Sequence, residues 1–117
     1  MKERQKKAID YAIEQIKASP LYPYVDTVYL YGSCARGEEK WDSDVDIFIQ
    51  LKEEYREHPE MRYEMLMLIS IATSPEVRDA EADVKIVVGD RWKSDNGLYY
   101  QNVRRDGIVL LSSYKDK

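Results

Sequence analysis

The chain has 117 residues, enough for one ordinary domain and too few for a tandem enzyme, since domains commonly run to about 100 to 150 residues. Hydrophobic residues make up 44% and charged residues 34%, which describes a packed interior under a well-solvated surface and excludes a disordered tail or a fibrous protein. Eighteen Lys and Arg against 22 Asp and Glu leave a formal charge of -4, so direct nucleic-acid binding is disfavoured and any phosphate must be held locally.

The opening stretch MKERQKKAIDYAIEQIK sets Ile9, Ile13 and Ile16, with Ala8 and Ala12 beside them, at helical spacing among Lys, Glu and Gln. That pattern predicts an amphipathic helix over about 3–18, ended by Ser19-Pro20. The stretch is basic but lacks an unbroken apolar run or a small-residue cleavage site, so no secretory signal is read and the expected location is cytoplasmic. After the turn-like LYPY, VDTVYLYG at 25–32 is rich in β-branched and tyrosyl residues and closes on glycine, as a strand does. SCARGEEKWDS at 33–43 has no period and is expected to be a loop. DVDIFIQL at 44–51 alternates, with Asp44, Asp46, Phe48 and Gln50 on one face and Val45, Ile47, Ile49 and Leu51 on the other.

Residues 52–60 form a charged connector that carries the lone histidine, His58, read as a surface residue. Met61, Met65, Leu68, Ile69 and Ala72 then make a second amphipathic helix to about Thr73, stopped by Ser74-Pro75. The longest apolar run, MLMLISIA at 65–72, falls far short of the roughly 20 residues of a membrane span, so none is expected. ADVKIVVG at 82–89 predicts a third strand, with Asp83, Lys85 and Val87 on one face and Val84, Ile86 and Val88 on the other. A helix near 95–105 and the segment GIVLLS at 107–112 follow. The order helix, strand, strand, helix, strand, helix predicts an α/β (α+β) fold, a small mixed sheet with helices packed against it. One cysteine and one histidine exclude an internal disulfide and a Cys/His zinc site.

Two familiar motifs nearly fit the glycine loop. Gly32 and Gly37 have the spacing of a P-loop after a strand, but Glu38-Glu39 stand where Lys and Ser or Thr are needed and would repel phosphate. Asp42, Asp44, Asp46 and Glu53 fall at calcium-loop positions, yet Ile47 occupies the position of the turn glycine and the segment alternates as a strand. A third reading uses all of these residues: Gly32-Ser33, ten intervening residues, Asp44-x-Asp46, and Asp83 on a later strand. Two carboxylates one residue apart on a strand point the same way and can reach one divalent cation or bridge a pair, whereas without metal their closeness is costly. A glycine after a strand lets the backbone approach a triphosphate, and the serine adds a hydroxyl and an N–H.

The segment GSCARGEEKWDSDVDIFI resembles the signature of the nucleotidyltransferase superfamily of polymerase-β type. The small size resembles its minimal nucleotidyltransferases, the MNT proteins often encoded beside HEPN-domain toxins. Gly32, Ser33, Ala35, Arg36, Gly37, Ser43, Asp44 and Asp46 match the pattern; DVKIVV at 83–88 resembles the strand that brings a third carboxylate, and RRDGIVLL at 104–111 the usual ending. The resemblance implies the polymerase-β-like fold as a single nucleotidyltransferase domain over 1–117. It also implies transfer of a nucleoside monophosphate, most often AMP from ATP, to a hydroxyl with release of pyrophosphate. Asp44, Asp46 and Asp83 would be the catalytic and metal residues of a two-metal Mg²⁺ site, with Asp83 also helping to deprotonate the acceptor. Gly32, Ser33, Arg36 and Ser43 would bind nucleotide, and the implied partner is a HEPN-domain toxin.

Two other functions remain open on the residues. One is a binding module that neutralises its partner by contact alone. The other is a nucleotidyltransferase subunit acting on a small molecule or on RNA; a small-molecule pocket would be built between the subunits of a homo-oligomer, because a chain this short leaves little to enclose a ligand. Cys34 is read as a small filler without redox function. Most of the ten tyrosines are read as core edges, and exposed ones as partner surface or an AMP-accepting hydroxyl.

Overall fold

A computed structural model describes residues 1–76 and 79–113. Helix α1 spans Glu3–Ala18 and buries Ala8, Ile9, Ala12 and Ile16 of the stripe its spacing predicts, with Ile13 half-buried at the edge, and adds Gln5, which the spacing leaves among the polar positions. It ends where Ser19 turns extended (φ -76°, ψ 143°), the conformation a following proline enforces. A short 3₁₀ turn over Tyr22–Tyr24 leads into strand β1, Val25–Tyr31.

The segment 33–43, expected to be a loop, opens instead with a single helical turn, α2, over Ser33–Arg36. Gly37 closes it in the left-handed conformation (φ 71°, ψ 24°), with the Glu38 N–H donating to the Ser33 carbonyl at 2.9 Å. Four residues are too few for a 3.6-residue period to show in a sequence. Strand β2 is Val45–Leu51, and the charged connector coils into 3₁₀ turns over Glu53–Glu57 and Pro59–Met61. Helix α3 is Arg62–Ile71 and strand β3 Ala82–Val88; a 3₁₀ turn over Arg91–Ser94 precedes helix α4, Leu98–Asp106, and strand β4, Ile108–Ser112. Among the described residues no helix is long and apolar enough to cross a membrane.

The sheet has the order β3-β2-β1-β4. β1 pairs antiparallel with β2 and β4, while β2 and β3 run parallel, so the chain must cross over between them, and α3 lies in that crossover. The sheet is therefore mixed, as predicted, and GIVLLS adds a fourth strand beyond the three that the alternation marks. α1 and α3 cover one face, where Val28, Leu30, Val45, Ile47, Ile49, Leu51 and Val84 meet Ala8, Ile9, Ala12, Ile16 and Leu68. The opposite face carries an aromatic cluster: Phe48, fully buried, packs with Tyr31 and Trp92, with Tyr29, Tyr99 and Tyr100 at its rim. Phe48 and Trp92 have ring centres 4.8 Å apart, and the Trp92 indole N–H donates to Gln50 at 3.0 Å. That second face is the one on which Asp46 and Asp83 stand.

Candidate active site

Asp46 is the Cα partner of Tyr31 on β1 and of Asp83 on β3, so the three side chains form a row across the sheet. The register, and not the sequence spacing of 37 residues, brings the carboxylates of β2 and β3 together. Asp44 stands two residues earlier on the same face, just before β2. Asp44 and Asp83 are exposed and Asp46 is half-buried. Burial first, then the negative charges of Asp83 and Asp44, push the Asp46 carboxyl above its ordinary value, while the Arg36 cation pulls the other way.

β1 delivers Gly32 directly against this row. Gly32 has φ 77° and ψ -157°, a conformation nearly confined to glycine. A Cβ there would collide with a carboxylate oxygen of Asp46. The glycine of the motif is thus required twice, by its backbone angles and by the carboxylate beside it. Ser33 begins α2, half-buried, next to it.

The donor set suits a hard cation. Among the described residues no group of three or more His, Cys, Asp or Glu is arranged so that it could hold a metal ion. What Asp44, Asp46 and Asp83 present is an all-oxygen edge on which burial and the charges of Asp83 and Asp44 oppose ionisation of Asp46, with Arg36 acting against them. Mg²⁺ matches such an edge, because it keeps several waters and takes one or two carboxylates plus phosphate oxygens. In the chemistry of their oxygens, though not as a preformed set of ligands, these carboxylates suit Mg²⁺.

Arg36 projects from α2 but is held by two carboxylates, with Asp106 at 2.8 Å and Glu38 at 3.3 Å. Asp106 also takes Arg105 at 2.8 Å, and Arg105 first, with Arg36, holds its carboxyl down at about 2. Ser43 is engaged within its own loop, its hydroxyl oxygen accepting from the Lys40 N–H at 2.8 Å. Lys85 makes no ion pair among the described residues; its ammonium lies 5.6 Å over the Tyr99 ring. Cys34 is buried, its thiol 3.6 Å from the Asp44 carbonyl and pushed up to about 11 chiefly by burial. It is a neutral filler of the loop.

Three neighbours of the site escape sequence reasoning. The Tyr31 and Tyr99 hydroxyls pair at 2.7 Å beside the carboxylates. Burial pushes Tyr31 up to about 12 and raises Tyr99 as well, so both phenols stay protonated. Asp106 comes from the end of α4, 70 positions from the arginine it holds. Local spacing carries no sign of either contact. Two hollows lie at the other end of β2 and β3, one of about 390 Å³ lined by Asp26, Lys52 and Glu53 and one of about 470 Å³ beside Trp92 and Arg91, and a third of about 380 Å³ lies between the start of α1 and Asp79. Two of the three carboxylates, Asp44 and Asp83, are exposed.

The family profile described as "Polymerase beta, Nucleotidyltransferase" matches residues 14–116. Among solved structures, the chain is similar to a toxin–antitoxin with AMP-PNP, at 19% identity over 92% of this chain and 75% of that one, with a TM-score of 0.48. It is also similar to a Sulfolobus solfataricus protein assigned as a nucleotidyltransferase, at 21% identity over 98% and 96% of the two chains, TM-score 0.45. A mutant of the toxin–antitoxin MntA-HpeT is similar at 16% identity over 92% and 75%, TM-score 0.45. No curated protein matches the chain significantly. At these identities and TM-scores the family assignment rests on the match over 14–116.

Proposed function

We propose a function from one premise: the chain belongs to the polymerase beta nucleotidyltransferase family, whose profile spans residues 14–116. The reaction proposed is Mg²⁺-dependent transfer of a nucleoside monophosphate, AMP from ATP, to a hydroxyl acceptor with release of pyrophosphate, by one domain over 1–117. The observation that carries it is the register that sets Asp46 beside Asp83, with Asp44 at the entrance of β2 and Gly32 packed on Asp46.

Asp44, Asp46 and Asp83 would hold Mg²⁺, which supplies charge neutralisation at the triphosphate. Gly32 and Ser33 would receive the β- and γ-phosphates where no side chain blocks approach. Asp83, exposed at its strand, takes the proton of the acceptor hydroxyl. The acceptor oxygen then bonds to the α-phosphorus as the bond from that phosphorus to the β-bridging oxygen breaks, and the electron pair leaves with pyrophosphate. Phosphoryl transfer needs positioning and charge more than covalent chemistry from the protein, so a small sheet suffices.

For the acceptor we propose a hydroxyl on a HEPN-domain toxin, with this chain as its cytoplasmic antitoxin. Support comes from the MNT-like motif and from the exposure of Asp44 and Asp83, which lets the site meet a group carried on another protein. α3 adds an apolar face, with Tyr63, Leu66, Met67 and Ile71 exposed. The test is incubation of the chain and its purified HEPN-domain partner with Mg²⁺ and α-labelled ATP. Label on the partner, abolished by Asp44→Asn, is expected; no label, with neutralisation intact in Asp44→Asn, would replace catalysis by contact alone.

A further inference from the structure

Gln5 occupies the core stripe of α1, alongside Ala8, Ile9, Ala12 and Ile16, and is fully buried. Its side-chain amide nitrogen donates to the carbonyls of Ser43 at 2.9 Å, Lys40 at 3.2 Å and Trp41 at 3.3 Å. Two amide hydrogens serve three carbonyls, so the loop over 40–43 is folded around this one group. Arg4, next to it, donates to the Trp41 carbonyl and lies over the Trp41 ring, 4.4 Å from its centre.

The residues that follow are held from other directions. The Cys34 thiol of α2 meets the Asp44 carbonyl at 3.6 Å. The Val45 N–H donates to the Glu81 carbonyl, just before β3, at 2.8 Å. Ser43, Asp44 and Val45 are therefore pinned in succession by α1, α2 and the approach to β3, with Asp44 in the middle. Filling space does not explain a glutamine at position 5. An apolar side chain would fill the space and spare the Gln5 carbonyl oxygen, which is buried with no partner among the described residues, but it would leave the three loop carbonyls without this donor. The donor is what the position requires.

We infer that Gln5 is a positioning residue: it fixes the loop over 40–43 so that Asp44 and Asp46 present their carboxylates together to the metal-bound nucleotide. The inference rests on the nucleotidyltransferase reading for its consequence, but its geometry can be tested apart from it. Gln5→Met keeps the length and removes the donor; Gln5→Glu keeps the shape and replaces the donor with a carboxylate that repels the three carbonyls.

The experiment titrates the whole chain, as wild type and both variants, with a non-hydrolysable MgATP analogue, alongside circular dichroism and amide exchange at Val45. The expected result is folded Gln5→Met with affinity reduced by at least about tenfold and faster Val45 exchange, since a small misplacement of such groups is costly. Gln5→Glu should be weak at neutral pH and regain affinity relative to wild type in acid, where its protonated carboxyl donates again. Should Gln5→Met not fold, this acid recovery in Gln5→Glu supports the inference and its absence overturns it. Wild-type affinity in folded Gln5→Met overturns it as well. If wild type binds no nucleotide, the proposed function fails instead, and Val45 exchange decides on Gln5: faster in the variant supports the positioning role, unchanged overturns it.

Discussion

Asp46 of β2 and Asp83 of β3 are direct partners across a parallel strand pair, so two carboxylates stand one strand spacing apart, about 4.8 Å at the backbone. Asp44 adds a third from the approach to β2. Like charges at such range raise the cost of ionisation, and at Asp46 burial and both neighbours do so together. The arrangement opposes the stability of the metal-free fold and favours a cation.

Asp46→Asn should therefore stabilise and inactivate at once. The Asp46 carboxyl is raised in the folded chain, so its proton-linked contribution is fully present below the unfolded pKa and is lost as pH rises through the folded one. Above that window, without metal, the neutral amide should melt higher than the carboxylate. Transfer of α-label should fall by at least about 100-fold, as for loss of a metal-site group. Thermal melts in chelator and the labelling assay check both halves; a lower melting temperature with activity kept contradicts the account.

Gly32→Ala adds a methyl group to a backbone at φ 77° and against the Asp46 carboxylate. The conformation alone should cost about 1–3 kcal/mol. Because the methyl group displaces Asp46, nucleotide affinity should fall together with the urea midpoint. By contrast, Gly37→Ala faces open space and carries only the left-handed strain, so it should weaken the fold and spare affinity.

Acid should loosen the end of α4. Arg105 and Arg36 hold Asp106 at about 2, below its ordinary 3.8. A depressed folded value means stability present above the unfolded pKa and lost as pH falls through the folded one. Wild type should thus lose melting temperature from about pH 4 toward 2 more steeply than Asp106→Asn, and added salt should shrink the difference.

Cys34 should be inert. Its thiol is buried and shifted up to about 11, so almost no thiolate exists at neutral pH. Alkylation by iodoacetamide at pH 8 should be slow in the native chain and fast in urea; rapid native labelling would show that the loop opens.

Much of the frame was legible in the sequence because it is periodic. Isoleucines and alanines at helical spacing mark α1, and alternation puts Asp44 and Asp46 on one face of 44–51 and Asp83 with Lys85 on one face of 82–88, but that the two faces are the same side of the sheet follows only from the register. What escaped is either short or distant. Ser33–Arg36 is a single turn, and IVLLS at the sheet edge does not alternate in character. The resemblance makes Arg36 a nucleotide ligand, but its hold on Asp106 depends on where α4 ends relative to α2. Gln5 left one trace, a polar residue within an apolar stripe, but its partners lie 35 to 38 positions away.

The most direct test of the central claim is calorimetric titration of the purified chain with a non-hydrolysable MgATP analogue, repeated without metal and with Asp44→Asn. Binding that requires both the metal and Asp44 is the predicted result. Equal binding without metal, or equal binding by Asp44→Asn, would contradict an Mg²⁺-nucleotide site built on the paired carboxylates of β2 and β3.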